Sequence, residues 1–593
     1  MFLRCNRRIK DGKSHEYWSV VENRRLANGR IAQRQVLYLG EINASQHRAW
    51  RKTIQLHESG QCRQVALFAA ERIPAHAVDA IGVHLSRLSV RRPRQWGACW
   101  LAMQLWHQLD LDALWSPRLP ASREGTPWLK VLKTLVAYRL IDPGSEWRLH
   151  RQWFDASAMA DLLDADFALA EKNTLYRCLD KLLEHKDEQF LFLKQRWGDL
   201  FGASFDVLLY ELTSTYFETD QERGAADLRQ FGYSRDKRSD CRQVVVALIV
   251  TPEGFPLNYE VLAGNTADST TLGDMLDRIE QRYGRANRIW VMDRGIPTEQ
   301  SLAKMRQMGA SYLVGTPKGR LTKLEQRLLQ QPWFQVRQGV QVKRLACDEE
   351  VYILAQSDAR IDKERAMRRR RLRRYWQRLK ALQRQQLTRD QLLMKLGAAK
   401  HEAGRAASLV KVMLPKSSSG ATLGFEIQLD RDKLRAVRQR EGRYLLRTNL
   451  GAGAPEQLWR FYIQLTEVEQ AFKELKHDLA LRPIHHQLEH RIEAHIFVAF
   501  MAYCLQVTLK ANLKQHASGL SARSVIEKFK TIQMVDVHLP TTDGRELVLS
   551  RYTQPEAEHC MLLDTLKMHL PQQPPPKIAP AQPQHKEPAA TAL

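Results

Sequence analysis

The feature that most restricts this chain is a series of strand-forming runs between residues 205 and 315. Residues 205–210 (FDVLLY) and 243–250 (QVVVALIV) are β-branched and apolar enough to read as buried strands. Thr251-Pro252-Glu253-Gly254 marks a turn, and 255–262 (FPLNYEVL) gives the next strand. Helical periodicity over 269–283 then precedes a buried-type strand at 288–292 (RIWVM). A helix over 297–308, with proline in its first turn, leads to a fifth strand at 311–315. Three strands in hairpin succession, followed by helix, strand, helix, strand, predict a mixed α/β sheet. Glu211 follows the first of these strands and Asp293 the fourth. Strand ends of such sheets are where ligands and metals gather, although a lone carboxylate there is as often a turn residue.

Charge narrows the partner. The 593 residues carry 91 Lys and Arg against 66 Asp and Glu, a net charge of +25. An excess of this size favours a polyanion, nucleic acid before an anionic membrane. Eight scattered cysteines form no C-x-x-C pair, which excludes a zinc ribbon or disulfide framework and fits a reducing cytosol. The basic N-terminus has no apolar stretch behind it, so no secretory signal is expected. The most apolar segment, 496–505 (IFVAFMAYCL), is too short to span a bilayer and predicts a buried helix.

Six segments are expected. Residues 1–85 form a small β-containing module with a hairpin signal at Asn28-Gly29, and 86–200 a helical region that could read DNA. Residues 201–316 are the first part of the sheet domain, 317–454 a β-rich and helical insertion, and 455–545 the second part. Residues 546–593 end in a proline-rich stretch expected to be disordered from about 571. Within the insertion, 362–384 predicts a very basic helix with an apolar stripe of Leu372, Tyr375, Trp376, Leu379 and Leu382. Its other face, including Arg368, Arg369, Arg370 and Arg371, is a candidate contact for a phosphate backbone, with a solvated charged face as the plainer reading. A helix over 458–478 spaces Tyr462, Glu469 and Lys476 seven apart, on one face. His485, His486, His490 and His495 read as surface or phosphate-contacting residues rather than a zinc site. Asp236, Asp240 and Asp268 read as turn or salt-bridge residues, Asp268 being the first candidate among them to touch the site.

These motifs carry a resemblance. Residues 210–218 (YELTSTYFE) are similar to the first acidic motif of DDE transposases from bacterial insertion sequences, and 231–238 (FGYSRDKR) and 264–269 (GNTADS) continue it. Asp293-Arg294-Gly295 resembles the second motif. Residues 462–476 resemble the Y-x2-R-x3-E-x6-K signature of the insertion-sequence-4-like branch, which also carries a β-rich insertion before its last acid. The resemblance covers about 205–510 and departs twice: the family's first acid is aspartate where this chain has Glu211, and Leu465 stands at the signature arginine.

The resemblance implies an RNase H-like mixed α/β domain in which Glu211, Asp293 and Glu469 are the catalytic acids and metal ligands. They would hold two Mg2+ ions, with Mn2+ a possible substitute; Mg2+ is hard and takes oxygen ligands. Tyr462, Lys476, Lys473 and Arg294, with Arg368 to Arg371, would contact DNA. The implied activity is binding of the terminal inverted repeats of the protein's own element, followed by strand cleavage and transfer. The alternative is a DNA-binding derivative impaired at Glu211. Double-stranded DNA, as transposon ends and target, is the expected partner, with no membrane. A homodimer or higher assembly in a bacterial cytoplasm, associated with the nucleoid when on DNA, completes the expectation.

Overall fold

The computed structural model describes residues 1–10, 13–25, 31–58, 83–218, 227–284, 287–316, 324, 327–328, 330–347, 349–414, 425–451, 453–517 and 519–580. Strands β1 (Phe2–Lys10), β2 (Lys13–Arg25) and β3 (Ile31–Gly40) form an antiparallel sheet. Asn28-Gly29 lies outside the described residues, but the strands on either side of it pair antiparallel. The helix Ala44–Glu58 follows, burying Trp50 and Ile54. Strand β4 (Ser89–Gln95) pairs far along the chain, with a C-terminal strand described below.

The helical region is built around Glu489–Lys514, which is buried on nearly every side from Ala494 to Leu509. Trp128–Ile141 and Gly97–Gln108 pack on it. By length and composition Glu489–Lys514 could cross a membrane, yet its apolar window is 94% buried within the fold, as expected of a core helix. The 10-residue apolar run is therefore the middle of a longer helix.

Among the described residues the central sheet has nine strands. Its middle is β5 (Val207–Phe217), β6 (Arg242–Val250), β7 (Pro256–Ala263), β8 (Ile289–Met292) and β9 (Ser311–Gly315). β5, β6 and β7 pair antiparallel, while β8 runs parallel to β5 and β9 parallel to β8. Helices Leu272–Tyr283 and Glu299–Gln307 make the crossovers. Two expectations change here. β5 does not stop at Tyr210: it continues through ELTSTYF with Thr213, Ser214 and Thr215 buried, because β6 supplies hydrogen bonds along its whole length. The insertion is also not a separate β unit. Strands β10 (Phe334–Arg337), β11 (Val340–Cys347) and β12 (Glu350–Ser357) extend the same sheet.

What branches away is an arm. The basic helix Asp358–Gln383 and its partner Arg389–Ala403 close a small core of Tyr375, Leu379, Leu382, Leu392 and Ala399. The hairpin of β13 (Val410–Met413) and β14 (Glu426–Leu429) and the helix Arg431–Arg440 complete it. β15 (Arg443–Thr448) returns between β12 and β9, giving the order β10-β11-β12-β15-β9-β8-β5-β6-β7.

At the C-terminus β16 (Gln533–Pro540) pairs with β4 and with β17 (Arg545–Tyr552). The proline-rich end is not unstructured from 571: β18 (Lys577–Pro580) adds an edge strand to β17, with proline at its terminus where a missing N–H costs no ladder bond. Residues 581–593 lie outside the described part.

A buried ion cluster fastens the helical region to the segment after the signature. Arg139, Glu146, His486 and His495 are each at most 6% exposed. His486 Nε2 lies 3.2 Å and His495 Nδ1 3.4 Å from Glu146, while the Arg139 guanidinium lies 3.5 Å from Glu146 and 3.3 Å from His495 Nδ1. This corrects the expectation of surface histidines for these two; His485 and His490 are exposed. Burial, then the Arg139 charge, pushes the His495 imidazole down from 6.5 to about 4. Below pH 6.5 the unfolded chain therefore takes up a proton that the folded one refuses, and stability is lost as pH falls toward 4. The cost at the acid end is roughly 3 kcal/mol. Urea midpoints measured from pH 7 to pH 4.5 are expected to show this slope in the parent and a flatter one in His495→Gln. Equal slopes would remove His495 as its source.

Candidate active site

Parallel pairing of β5 with β8 ends at Tyr210 opposite Met292. The next residues are Glu211, still inside β5, and Asp293, where the chain leaves β8 for a turn. They consequently sit side by side at the point where the two strands part. Glu211 is half-buried and Asp293 exposed. Burial, reinforced by the negative charges of Asp293 and Asp268, pushes the Glu211 carboxyl up to about 7; the Leu212 amide and Arg235 act against this. Crowding of acids that resists ionisation favours a bound cation.

The signature segment is not one helix. Pro455–Ile463 ends at Gln464, Leu465–Lys473 follows, and Glu474–Asp478 widens into a π turn. Heptad spacing therefore does not keep Tyr462, Glu469 and Lys476 on a common face. Tyr462 turns to the acids: its hydroxyl donates to Asp293 Oδ1 at 3.4 Å. Burial and the Asp293 charge hold that phenol well above its ordinary pKa, so it remains a donor. The end of β9 is glycine for a steric reason. A Cβ on Gly315 would stand 2.6 Å from Tyr462 Oη and 3.4 Å from Asp293 Oδ1.

Glu469 lies on the exposed face of Leu465–Lys473, whose buried residues Leu465, Val468, Ala471 and Phe472 cover β5 and β6. Lys473 and Arg294 are exposed as well. Lys476 is engaged elsewhere. Its ammonium donates to Asp236 at 3.0 and 3.2 Å, and Arg482 shares the same carboxylate. Arg368 is likewise paired, 2.8 Å from buried Glu441, whereas Arg369, Arg370 and Arg371 are exposed on the arm. So the expected DNA contacts divide: Lys476 and Arg368 spend their charge within the fold, and Lys473, Arg294 and Arg369 to Arg371 face solvent.

The loop over 231–238 ties this together, with Asp236 and Asp268 in ion pairs as the sequence predicts. Arg235 donates to Asp268 at 2.5 Å and its backbone amide to Ser214 Oγ at 3.3 Å, three residues along β5 from Glu211. The signal was present in FGYSRDKR, whose charges answer those of the signature segment.

Among the described residues, the group that brings three metal-ligating atoms within 4.8 Å of one another is the buried Glu146, His486 and His495. Glu211, Asp293 and Glu469 are not gathered at that spacing. The Glu146 cluster already contains its cation, the Arg139 guanidinium, which opposes a divalent ion beside it.

Comparison with known proteins gives a family match and a structural likeness. Residues 213–505, just under half of the chain, match the family described as Transposase DDE domain. The match contains Asp293 and Glu469 and begins two residues beyond Glu211. Among solved structures, the chain is similar to the piggyBac transposase in a cryo-EM synaptic complex with hairpin DNA. The identity is 10%, with 74% of this chain and 82% of that chain covered and a TM-score of 0.33. No curated protein matches.

Proposed function

We propose that the protein is a DDE transposase that binds the terminal inverted repeats of its own insertion sequence and cleaves and rejoins DNA in the presence of Mg2+. The observation that carries this is the pairing of Glu211 with Asp293 at the parting of β5 and β8, with Asp293 inside the segment matched by the transposase DDE domain. The order β7-β6-β5-β8-β9, antiparallel then parallel, supports an RNase H-like reading of the sheet. The Tyr462, Glu469 and Lys476 spacing supports the insertion-sequence-4-like branch.

A divalent ion fits the donor set, since the residues offered are carboxylates, and burial together with the neighbouring Asp293 charge lifts Glu211. Glu211, Asp293 and Glu469 are the residues that would hold it. When bound, it supplies neutralisation of the scissile phosphate and activation of water or a 3′-hydroxyl. The chain does the rest. Tyr462 fixes the Asp293 carboxylate through its hydroxyl, and exposed Lys473 and Arg294 offer charge to the phosphates on either side. The exposed arginines of the arm extend the contact along the duplex. Two ends must be held together for transfer, which supports a dimer or larger assembly on DNA.

A second reading keeps DNA binding and discards catalysis. It is favoured by Glu211 itself, longer by one methylene than the family's aspartate and bonded to its own strand at Leu212 N, 3.1 Å away. The two readings separate on Glu211→Asp. Mg2+-dependent cleavage of element-end DNA by the parent establishes the enzyme, and Glu211→Asp is then expected to slow it on the order of 10²-fold, because the shorter side chain draws the carboxylate back by about 1 Å. Cleavage that appears only in Glu211→Asp would establish the impaired derivative.

A further inference from the structure

The segment that leads into β6 presents two aromatic rings to solvent near the far end of β5, level with Gln243 and Tyr216 and five residues along the strand from Glu211. Tyr233 is 83% exposed and Phe231 54%. Large apolar rings in solvent cost free energy unless something covers them. Their backbone, by contrast, is fixed at every turn. Buried Gln243 donates through Nε2 to Tyr233 O at 3.2 Å and to Gly264 O at 2.8 Å. Gly232 packs so tightly that a Cβ would come within 2.1 Å of Gly264 O. Beyond the rings, Ser234 Oγ accepts from Arg238 N at 3.0 Å, and Asp236 is held by Lys476 and Arg482. Lys237 takes a left-handed φ of 60°, a conformation that the surrounding contacts must enforce.

Charge says what the rings face. Arg242 lies over the Phe231 ring at 5.0 Å and Arg238 over Tyr216 at 4.8 Å, while Lys237 is exposed. The acids of the neighbourhood are spent: Asp236 on Lys476, Asp240 on Arg238 and Asp268 on Arg235. Arg238, Arg235 and Lys476 are paired in turn with Glu218 and these acids, so the surface is two rings flanking a glycine with the Arg242 guanidinium over Phe231 and exposed Lys237 in the same loop. A nucleic-acid strand with unstacked bases finds here both a backbone contact and π-faces.

We propose that Phe231 and Tyr233 form a stacking platform for an unpaired base of the DNA strand that enters the site. This rests on the transposase reading for its biological setting, but it is tested apart from cleavage. The full chain is titrated, without divalent ion, against a DNA hairpin duplex carrying a short thymine tail with 2-aminopurine, and against the same duplex blunt. The parent is expected to prefer the tailed DNA and to quench 2-aminopurine. Tyr233→Ala is expected to lose on the order of tenfold of that preference with blunt-duplex affinity unchanged, and Tyr233→Trp to keep it. Phe231→Leu is expected to act in the same direction. Equal loss on tailed and blunt DNA, no loss on either, or a change of sedimentation with DNA binding intact overturns the platform. If the parent fails to cleave but discriminates the tail, the platform stands and the enzymatic reading falls. Cleavage without discrimination gives the reverse.

Discussion

Asp293→Asn is expected to lower Mg2+-dependent strand cleavage on the order of 10³-fold or more while leaving DNA affinity unchanged or slightly tighter. The argument is local. Asp293 is exposed at the end of β8, so the substitution removes one charge and no packing. The amide oxygen can still accept from Tyr462, which now bonds the carboxylate at 3.4 Å, so the geometry of the rim persists. What disappears is half of the closely set acid pair, and with it the charge that adds to burial in lifting Glu211. Glu469→Gln is the companion test on the other element. Both variants are compared with the parent in single-turnover cleavage of end DNA and in filter binding. Retention of cleavage within about tenfold of the parent, in either, would show that the three acids do not act as one site.

What the sequence disclosed follows the range of the interactions involved. The five central strands are legible because each is a local β-branched run closed by a turn, and Val244 to Val250 are buried throughout. The end of β5 was misread because Glu211 breaks the apolar run, whereas the strand is continued by pairing with β6, whose residues lie some thirty positions on. The joining of β12, β15 and β9 into the same sheet is a long-range event that no window reports. Spacing of seven in the signature predicts a common face for Tyr462, Glu469 and Lys476; Tyr462 reaches Asp293, whereas Lys476 is bound to Asp236. The π turn at Glu474–Asp478 is a departure from helical period that propensity does not encode. The two buried histidines gave no hint of their depth. Their counter-charge, Glu146, is 340 residues from His486 and meets it through tertiary packing.

That packing predicts the second large effect. Glu146→Gln is expected to cost about 3–5 kcal/mol of stability, because it leaves the Arg139 guanidinium buried without a counter-ion. Arg139 is 2% exposed, and its remaining neighbours are Ala480 O, at 3.3 Å, and the His495 imidazole, at 3.3 Å, neither of which carries a negative charge. The His486 and His495 contacts hold the Glu146 carboxyl well below its ordinary range against the opposing effect of burial, so it is charged at neutral pH. A control exists in Glu456, which pairs with Arg460 one helical turn away at the surface; Glu456→Gln should change stability by less than about 0.5 kcal/mol. The sign is fixed by the double replacement. Arg139→Met with Glu146→Met removes both charges, and it is expected to be more stable than Glu146→Gln alone. Urea denaturation of the four proteins at pH 7 gives the answer, with a chelator added to the parent as a further arm. A chelator that lowers the parent's midpoint would mean that the cluster holds a metal ion after all. An unchanged midpoint, together with recovery in the double variant, assigns its stability to the Arg139 and Glu146 charges, which join the helical region to the chain just beyond the signature acid.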